Sequence, residues 1–457
     1  MDSPVTWPEQ MTSNQLFSRL LKYSLKYWKG FAVAVLAMLV TAATETAFPA
    51  LMKPLLDRGF QPNTEFNVWL VPVGVLLIFI VRGISSFVMG YTMQWVSNSV
   101  LRDLRQAMFS RLISMPTASF DSFSSGSLIA KVISESQFVM FAATNVVTIV
   151  VRDSLVLIGL LGWLFYLNWK LTLIVVLLIP PLAFLTLAFS KRMRSISESH
   201  MLATSDMTAT VEEAISGNRV VKVFGGQRYE QARFDRVNAE YRGQAMRLAV
   251  AQALQSPINQ FIAATGVATV LTIWIFQTRS GNATVGDFVS FITAMLMMFS
   301  PLRHLSDINA QLQRGLTAAK SVFSLIDERS ERDLSKQELP KIRGEISFRN
   351  VVFQYPTRDT PALNGVSLEI PAGSTYALVG PSGGGKSSLI NLLPRLYDHQ
   401  SGEILIDGVD ITSVSLNSLR SKIAVVSQDV VLFNDTIEKN ISYGRDDVTR
   451  KQVWQAA

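Results

Sequence analysis

Gly380, Gly385, Lys386 and Ser387 stand at the spacing G-x-x-x-x-G-K-[ST], inside the stretch VGPSGGGKSSLI from Val379 to Ile390. That spacing suits the cradling of a polyphosphate such as that of ATP. Glycines let consecutive backbone N–H groups turn inward around phosphate oxygens, and a helix N-terminus behind them favours negative charge. Lys386 is placed to reach the β- and γ-phosphates, and the Ser387 hydroxyl to ligate Mg²⁺. Pro381, Ser382, Gly383, Gly384 and Ser388 complete the loop. The flanks suit it too: TYALV (Thr375–Val379) has the composition of a strand and SSLINLLPRLY (Ser387–Tyr397) that of a helix.

Two further residues are candidates by position. EISFRNVVFQYP (Glu345–Pro356) alternates like strands and ends on Tyr355, whose ring either stacks on adenine or is structural. KIAVVSQDVVLF (Lys422–Phe433) reads as a buried strand ending on Ser427 and Gln428. A glutamine at such a strand end is able to meet Mg²⁺ and an attacking water. Spacing alone leaves both roles open.

The elements that must carry this loop are unusual for a nucleotide site. The 457 residues are 49% hydrophobic and 17% charged, too apolar for an ordinary soluble chain. Six windows are long and apolar enough to span a bilayer, near 30–52, 68–96, 143–167, 170–190, 252–277 and 285–305. The first lies too far from the start for a usual cleaved signal peptide and is expected to be retained. Lys and Arg crowd the loop between the fourth and fifth windows, among them Lys191, Arg192, Arg194, Arg219 and Lys222, whereas the short connectors hold only Lys53, Arg58, Lys170 and Arg279. The long loops, both termini and the phosphate loop are therefore expected in the cytosol. The net charge of +7 is dispersed beside apolar runs, which fits membrane topology and not a nucleic-acid surface. With no cysteine and only His200, His304 and His399, disulfides, thiolate sites and a histidine metal cluster are excluded.

The cytosolic segments 97–142 and 191–251 have helical periodicity, as at Leu101, Leu104, Met108 and Leu112. Each is broken once by a turn-rich patch, Pro116–Leu128 and Ile215–Gly226, which is either a simple loop or, the favoured reading, a short helix that docks on a cytosolic partner. The polar run Asp327–Lys341 marks the change to strands and turns. The expected organisation is an all-α membrane domain over 1–325, a linker over 326–343, and the N-terminal part of an α/β P-loop domain over 344–457.

Taken together, FQYP, GPSGGGKSS, SGEILIDGVDI and VSQDVVLFNDTIEKNI resemble the nucleotide-binding domain of ABC exporters. The resemblance implies that Tyr355 stacks on adenine and that Gln428 senses the γ-phosphate and the metal. Six spans with two long cytosolic hairpins match the same architecture, so nearly the whole chain is covered. LMKPLLDRGF, VRGISSF, GNRVVKVFGGQ and NAQLQRG look like lipid A flippases of the MsbA type. That implies a homodimer in the bacterial inner membrane, with lipid A or lipopolysaccharide as cargo and the two patches as coupling helices. The family's signature motif, acidic strand, catalytic glutamate and switch histidine do not occur after Gln428 in these residues. These 457 residues alone are thus expected to bind ATP without turning it over, either as a truncated exporter or as a short ATP-sensing membrane protein.

Charges at membrane depth cost roughly 2.5–3.5 kcal/mol each and call for a partner or a task. Glu45, Arg82, Arg152, Asp153 and Arg303 stand out. Helical rise puts Arg82 roughly 21 Å below the outer face, Arg152 about 13 Å above the inner face and Arg303 roughly 27 Å below the outer face, all three in the cytosolic half. Either Arg82 pairs with Glu45 or Asp153, or the excess of arginine forms a phosphate site. The resemblance favours the second, with Arg82 and Arg152 meeting glucosamine phosphates. Ser300 stands where relatives tend to carry another base, so the clamp is expected to be weaker. The alternative, export of amphipathic cations on the same scaffold, needs unpaired acids.

Overall fold

The computed structural model describes residues 13–58, 69–278, 284–331, 333, 337–426, 431–445 and 447–457. These residues form two compact units, one from residues up to Ala107 together with Lys131–Ser324, the other from Met108–Ala130 together with Leu325–Ala457.

The first unit is helical. In chain order come α1 (Ser13–Leu25), α2 (Trp28–Arg58) and α3 (Leu70–Ser114), whose end from Met108 onward belongs to the second unit. After α4 (Thr117–Ser122) and α5 (Ser125–Ala130) follow a π-helical turn (Lys131–Glu135), α6 (Ser136–Thr148) and a second π-helical turn (Ile149–Asp153). Then come α7 (Ser154–Ser216), α8 (Asn218–Val223), α9 (Gln227–Thr278) and α10 (Val285–Ile326). The core joins α2, α7, α9 and α10 through Ala42, Leu160, Leu164, Trp274, Phe291 and Met295. A second cluster, Ala34 and Met38 against Met89 and Met93, packs α2 on α3. Polar groups inside this apolar packing are satisfied locally: Thr41 donates to Ala37 O and meets Ser85 Oγ at 3.0 Å. Arg105 donates to Val132 O and Ile133 O, carbonyls of the first π-helical turn.

Among the described residues four helices are long and apolar enough to cross a membrane, Trp28–Asp57, Pro72–Ser114, Ser125–Leu173 and Val285–Leu305. They coincide with the first, second, third and sixth expected windows. The fourth window is helical throughout and continues α7 across a kink at Asn168, where the backbone turns extended (φ −158°). Asn168 Oδ1 accepts from Leu171 N at 3.1 Å, as an N-cap does, so the expected 168–170 connector is a capped turn. The fifth window lies within α9, whose described apolar stretch is Ala264–Phe276.

The second unit is built on an antiparallel sheet of order β2-β1-β3-β4, with β1 Ile346–Phe353, β2 Leu363–Ile370, β3 Ser401–Ile406 and β4 Val409–Asp410. Asp407 and Gly408, both at positive φ, close the β3–β4 hairpin, as a two-residue turn of primed type requires. The helices α11 (Lys386–Leu392), α12 (Leu416–Arg420), α13 (Ile437–Ile441) and α14 (Arg450–Ala456) accompany it. Phe348, Phe353, Leu389, Leu392, Ile404 and Leu419 form its core.

Two expected strands are not formed. Thr375–Val379 and the described part of Lys422–Phe433 are without strand assignment. Val379 is 88% exposed and Val426 is 98% exposed. An apolar run becomes a strand only when a neighbour completes its hydrogen-bond ladder, and among the described residues none pairs with either.

Candidate functional site

The phosphate loop runs from the extended segment ending at Val379 into α11. Gly383 (φ 81°) and Gly385 (φ 82°) lie in the left-handed region. At Gly385 a side chain is doubly excluded, because a Cβ there would lie 2.7 Å from Ala362 O and 2.8 Å from a Leu363 methyl. Gly385 caps α11 and its carbonyl accepts from Leu389 N at 2.9 Å. Lys386 therefore begins the helix with its amine over the loop, donating to Gly380 O at 2.9 Å and to Pro381 O at 2.6 Å. Pro381, Ser382, Gly383 and Gly384 are exposed around it. Both acceptors are uncharged carbonyls, so Lys386 keeps its charge for an anion.

Ser387 is exposed on the first turn of α11, next to Lys386 in the chain. Its hydroxyl is a hard oxygen donor, and among the described residues no cluster of three carboxylates or histidines offers a metal cage. That composition fits Mg²⁺, which keeps waters and is held largely by phosphate oxygens. Gln428 lies outside the described residues.

Ser388 is buried and its hydroxyl meets the Tyr355 hydroxyl at 3.1 Å, which brings the aromatic candidate against the loop. Tyr355 packs edge-on to Phe353 and to Tyr397, with centroids 4.7 and 5.1 Å apart. The Arg358 guanidinium lies 5.9 Å from its ring centre. Tyr397 extends this cluster by donating its hydroxyl to Asp121 Oδ2 on α4, at 2.9 Å. Burial, and the Asp121 carboxylate beside it, push the Tyr397 phenol above its ordinary pKa, so it remains a donor. The first turn-rich patch is thus tied to the nucleotide loop through two tyrosines. A cleft lined by Pro116, Ala118, Phe353 and Tyr397 opens beside this contact.

Arg420 forms a bidentate pair with Glu331, at 2.7 and 2.8 Å, and also donates to Pro394 O. Glu331 N in turn donates to Ser114 O at 2.8 Å, so the polar linker is held at Glu331 by both its backbone and its side chain within this unit. Neither this pair nor Tyr397 and Asp121 is marked by any local motif; they are visible only once the chain is folded.

In the helical unit Arg82 pairs with Glu45 at 2.7 Å. Arg152 pairs with Asp153 at 2.6 Å through one guanidinium nitrogen, and its Nε donates to the same oxygen at 2.7 Å. The other Asp153 oxygen meets His304 Nδ1 at 2.8 Å. Arg303 is exposed on α10, one residue before His304. The two arginines expected to face phosphate are therefore already ion-paired, Arg82 with Glu45 as the pairing alternative describes, and Arg152 with its neighbour Asp153, a pair that alternative does not name. A headgroup would have to share them with Glu45 and Asp153. In the sequence His304 is one of three scattered histidines, and its position next to Arg303 is the one signal of its place.

The second turn-rich patch folds as α8, which leaves Val220 60% and Val223 78% exposed, with Phe224 81% exposed just beyond it.

Residues 31–302 match the ABC transporter transmembrane region, and residues 363–457 match the ABC transporter family. The ATP-dependent lipid A-core flippase of Dechloromonas aromatica is 47% identical over 98% of this chain and 77% of its own length. That of Thiobacillus denitrificans is 46% identical over 95% of this chain and 75% of its own. For Albidiferax ferrireducens the identity is 44%, over 98% of this chain and 78% of the relative. Matches of this extent cover nearly the whole chain, and the chain belongs to the ABC transporter family, among the ATP-dependent lipid A-core flippases.

Proposed function

We propose that the chain is a half-transporter that uses ATP to move lipid A-core from the inner to the outer leaflet of a bacterial inner membrane. The observation that carries the proposal is sequence identity above 40% with lipid A-core flippases over almost the entire chain. Supporting it, the phosphate loop holds Lys386 on neutral carbonyls, ready for the β- and γ-phosphates. Ser387, with Gln428, would hold Mg²⁺, which supplies charge neutralisation at the phosphates. Tyr355, beside Ser388, supplies the aromatic face for adenine.

The working unit is a homodimer. One chain presents a single phosphate loop and one set of spans, and α8 carries the exposed apolar residues Val220 and Val223 for a partner surface. Closure of two nucleotide domains on ATP pulls on α4 through Tyr397 and Asp121 and turns the membrane cavity outward. The arginines of the inner half of the membrane, Arg82, Arg152 and Arg303, contact the headgroup phosphates.

The test is ATPase activity of the transporter in nanodiscs, with lipid A against a dephosphorylated analogue and against amphipathic cations. Stimulation by the phosphorylated lipid alone supports the proposal. Stimulation by cations alone would give first place to multidrug export. The pairing of both membrane carboxylates argues against that reading, since Glu45 and Asp153 each already hold an arginine.

A further inference from the structure

We infer that His304 is a specificity-determining residue, which sets how much positive charge Arg152 presents to a phosphorylated headgroup. The inference rests on the flippase reading above. Asp153 is 1% exposed and sits in a π-helical turn, where its two oxygens are divided between two partners. One oxygen takes Arg152, through Nε at 2.7 Å and a terminal nitrogen at 2.6 Å. The other takes His304 Nδ1 at 2.8 Å.

An ionised carboxylate only accepts, so Nδ1 carries the hydrogen and points it at Asp153. With a neutral imidazole the charges of Arg152 and Asp153 cancel and the group offers an anion little. When the ring is protonated, the same three side chains carry a net charge of +1. Nε2, on the opposite side of the ring from Asp153, then becomes a second N–H donor. The arginine is no longer the sole counter-ion of the buried acid, and its remaining N–H groups are available to a phosphate oxygen. The His304 side chain is 42% exposed and that of Arg152 is 27% exposed, so an anion has access to both. Among the described residues the charged groups facing the ring are Asp153 and, through it, Arg152, with Arg303 its neighbour on α10. Histidine is the side chain whose charge ordinarily changes between pH 5 and 8. The ligand chemistry is the phosphate monoester of a lipid headgroup.

The experiment measures binding of lipid A and of its dephosphorylated analogue to the transporter in nanodiscs at pH 6 and pH 8. Wild type, His304→Gln and His304→Asn are compared, with inorganic phosphate as a competitor. The phosphates of the lipid gain charge across this range, which on its own strengthens binding as pH rises. The expected result is opposite in wild type: the preference for the phosphorylated lipid falls about tenfold from pH 6 to pH 8, the worth of one charge-assisted hydrogen bond. In both variants it stays level or rises, while binding of the dephosphorylated lipid is unchanged. A wild-type preference that is present but does not fall with pH would overturn the role of His304 and leave the flippase reading standing, and this comparison needs no variant to fold. Equal binding of both lipids at both pH values would overturn the flippase reading itself. Competition by inorganic phosphate at the concentration of the lipid would overturn the headgroup assignment.

Discussion

Lys386 and the membrane arginines are all cations offered to phosphate, yet the chain holds them in different ways. Lys386 rests on the carbonyls of Gly380 and Pro381. Arg82 and Arg152 rest on the carboxylates of Glu45 and Asp153. A carbonyl orients an ammonium without neutralising it, whereas a carboxylate cancels the charge it orients. In water the first arrangement is sustainable because solvent shares the load. At membrane depth an unpaired cation costs roughly 2.5–3.5 kcal/mol, so pairing is the resting arrangement and the anion must compete for it. On the proposed reading the nucleotide loop is a committed phosphate site, and the membrane group is one whose charge is released by what happens to its acids.

The largest effect expected from this contrast is at Lys386. In Lys386→Ala the loop loses its only side-chain cation, and with it two charge-assisted hydrogen bonds worth roughly 1.5–3 kcal/mol each. Mg-ATP affinity should fall on the order of 100-fold or more by calorimetry. Wild-type affinity in this variant would mean that the loop is not the nucleotide site.

The membrane pairs predict smaller changes of opposite sign. Arg82→Ala with Arg152→Ala should weaken bis-phosphorylated lipid A by at least about tenfold relative to neutral amphiphiles. Glu45→Gln, which frees Arg82 without removing it, should tighten the same lipid a few-fold. If the pairs serve only to hold helices together, Glu45→Gln will lower thermal stability and leave lipid preference where it was. Preference and melting temperature, measured on the same preparation, separate the two.

A third, milder test lies within the second unit, where α4 meets the tyrosine cluster. Tyr397→Phe keeps the ring against Tyr355 and Phe353 but removes the donor to Asp121, an exposed acceptor that water readily satisfies. A net cost of about 0.5–1.5 kcal/mol follows. ATP affinity should stay within about twofold of wild type, while the increase in ATPase on adding lipid drops a few-fold, a loss of coupling and not of binding. Unchanged stimulation would show that α4 does not carry the signal through this contact.

These contacts explain which parts of the molecule were legible in the sequence. The phosphate loop is local: glycines at 383 and 385, the lysine and the helix start are encoded within eight residues, and the backbone follows. The spans are legible because hydropathy over a window is a local property, as in Val285–Leu305. Strands at Thr375–Val379 and after Lys422 failed for a non-local reason, because a strand exists only through a partner that its own residues do not name. The same is true of Tyr397 with Asp121 and of Asp153 with His304, which are 276 and 151 positions apart. The resemblance supplied the roles of Tyr355 and Gln428 but not the partners of the arginines. Ion pairing depends on which helix faces turn toward each other, and hydropathy does not record that.

The smallest expected effect is the mirror image of Lys386, an anion held by the backbone. The Asp407 carboxylate, at the β3–β4 turn, accepts from Glu345 N at 2.9 Å, from Arg343 N and from Gly344 N. These N–H groups, that of Glu345 foremost, hold its pKa below the ordinary carboxylate value. A folded-state pKa below the unfolded one contributes stability that is fully present above the unfolded value of about 3.9 and is lost as pH falls through the folded value. Between pH 7 and pH 5 this group should therefore leave stability flat. Asp407→Asn keeps an acceptor but loses the charge, and should lower the melting temperature at pH 7 by only about 1–2 °C. That gap should close as the wild type is acidified below about pH 4, where its carboxyl is neutralised. A gap that persists unchanged to pH 3 would mean that the turn is held by shape alone, and that a charge oriented by the backbone contributes nothing here beyond a neutral amide.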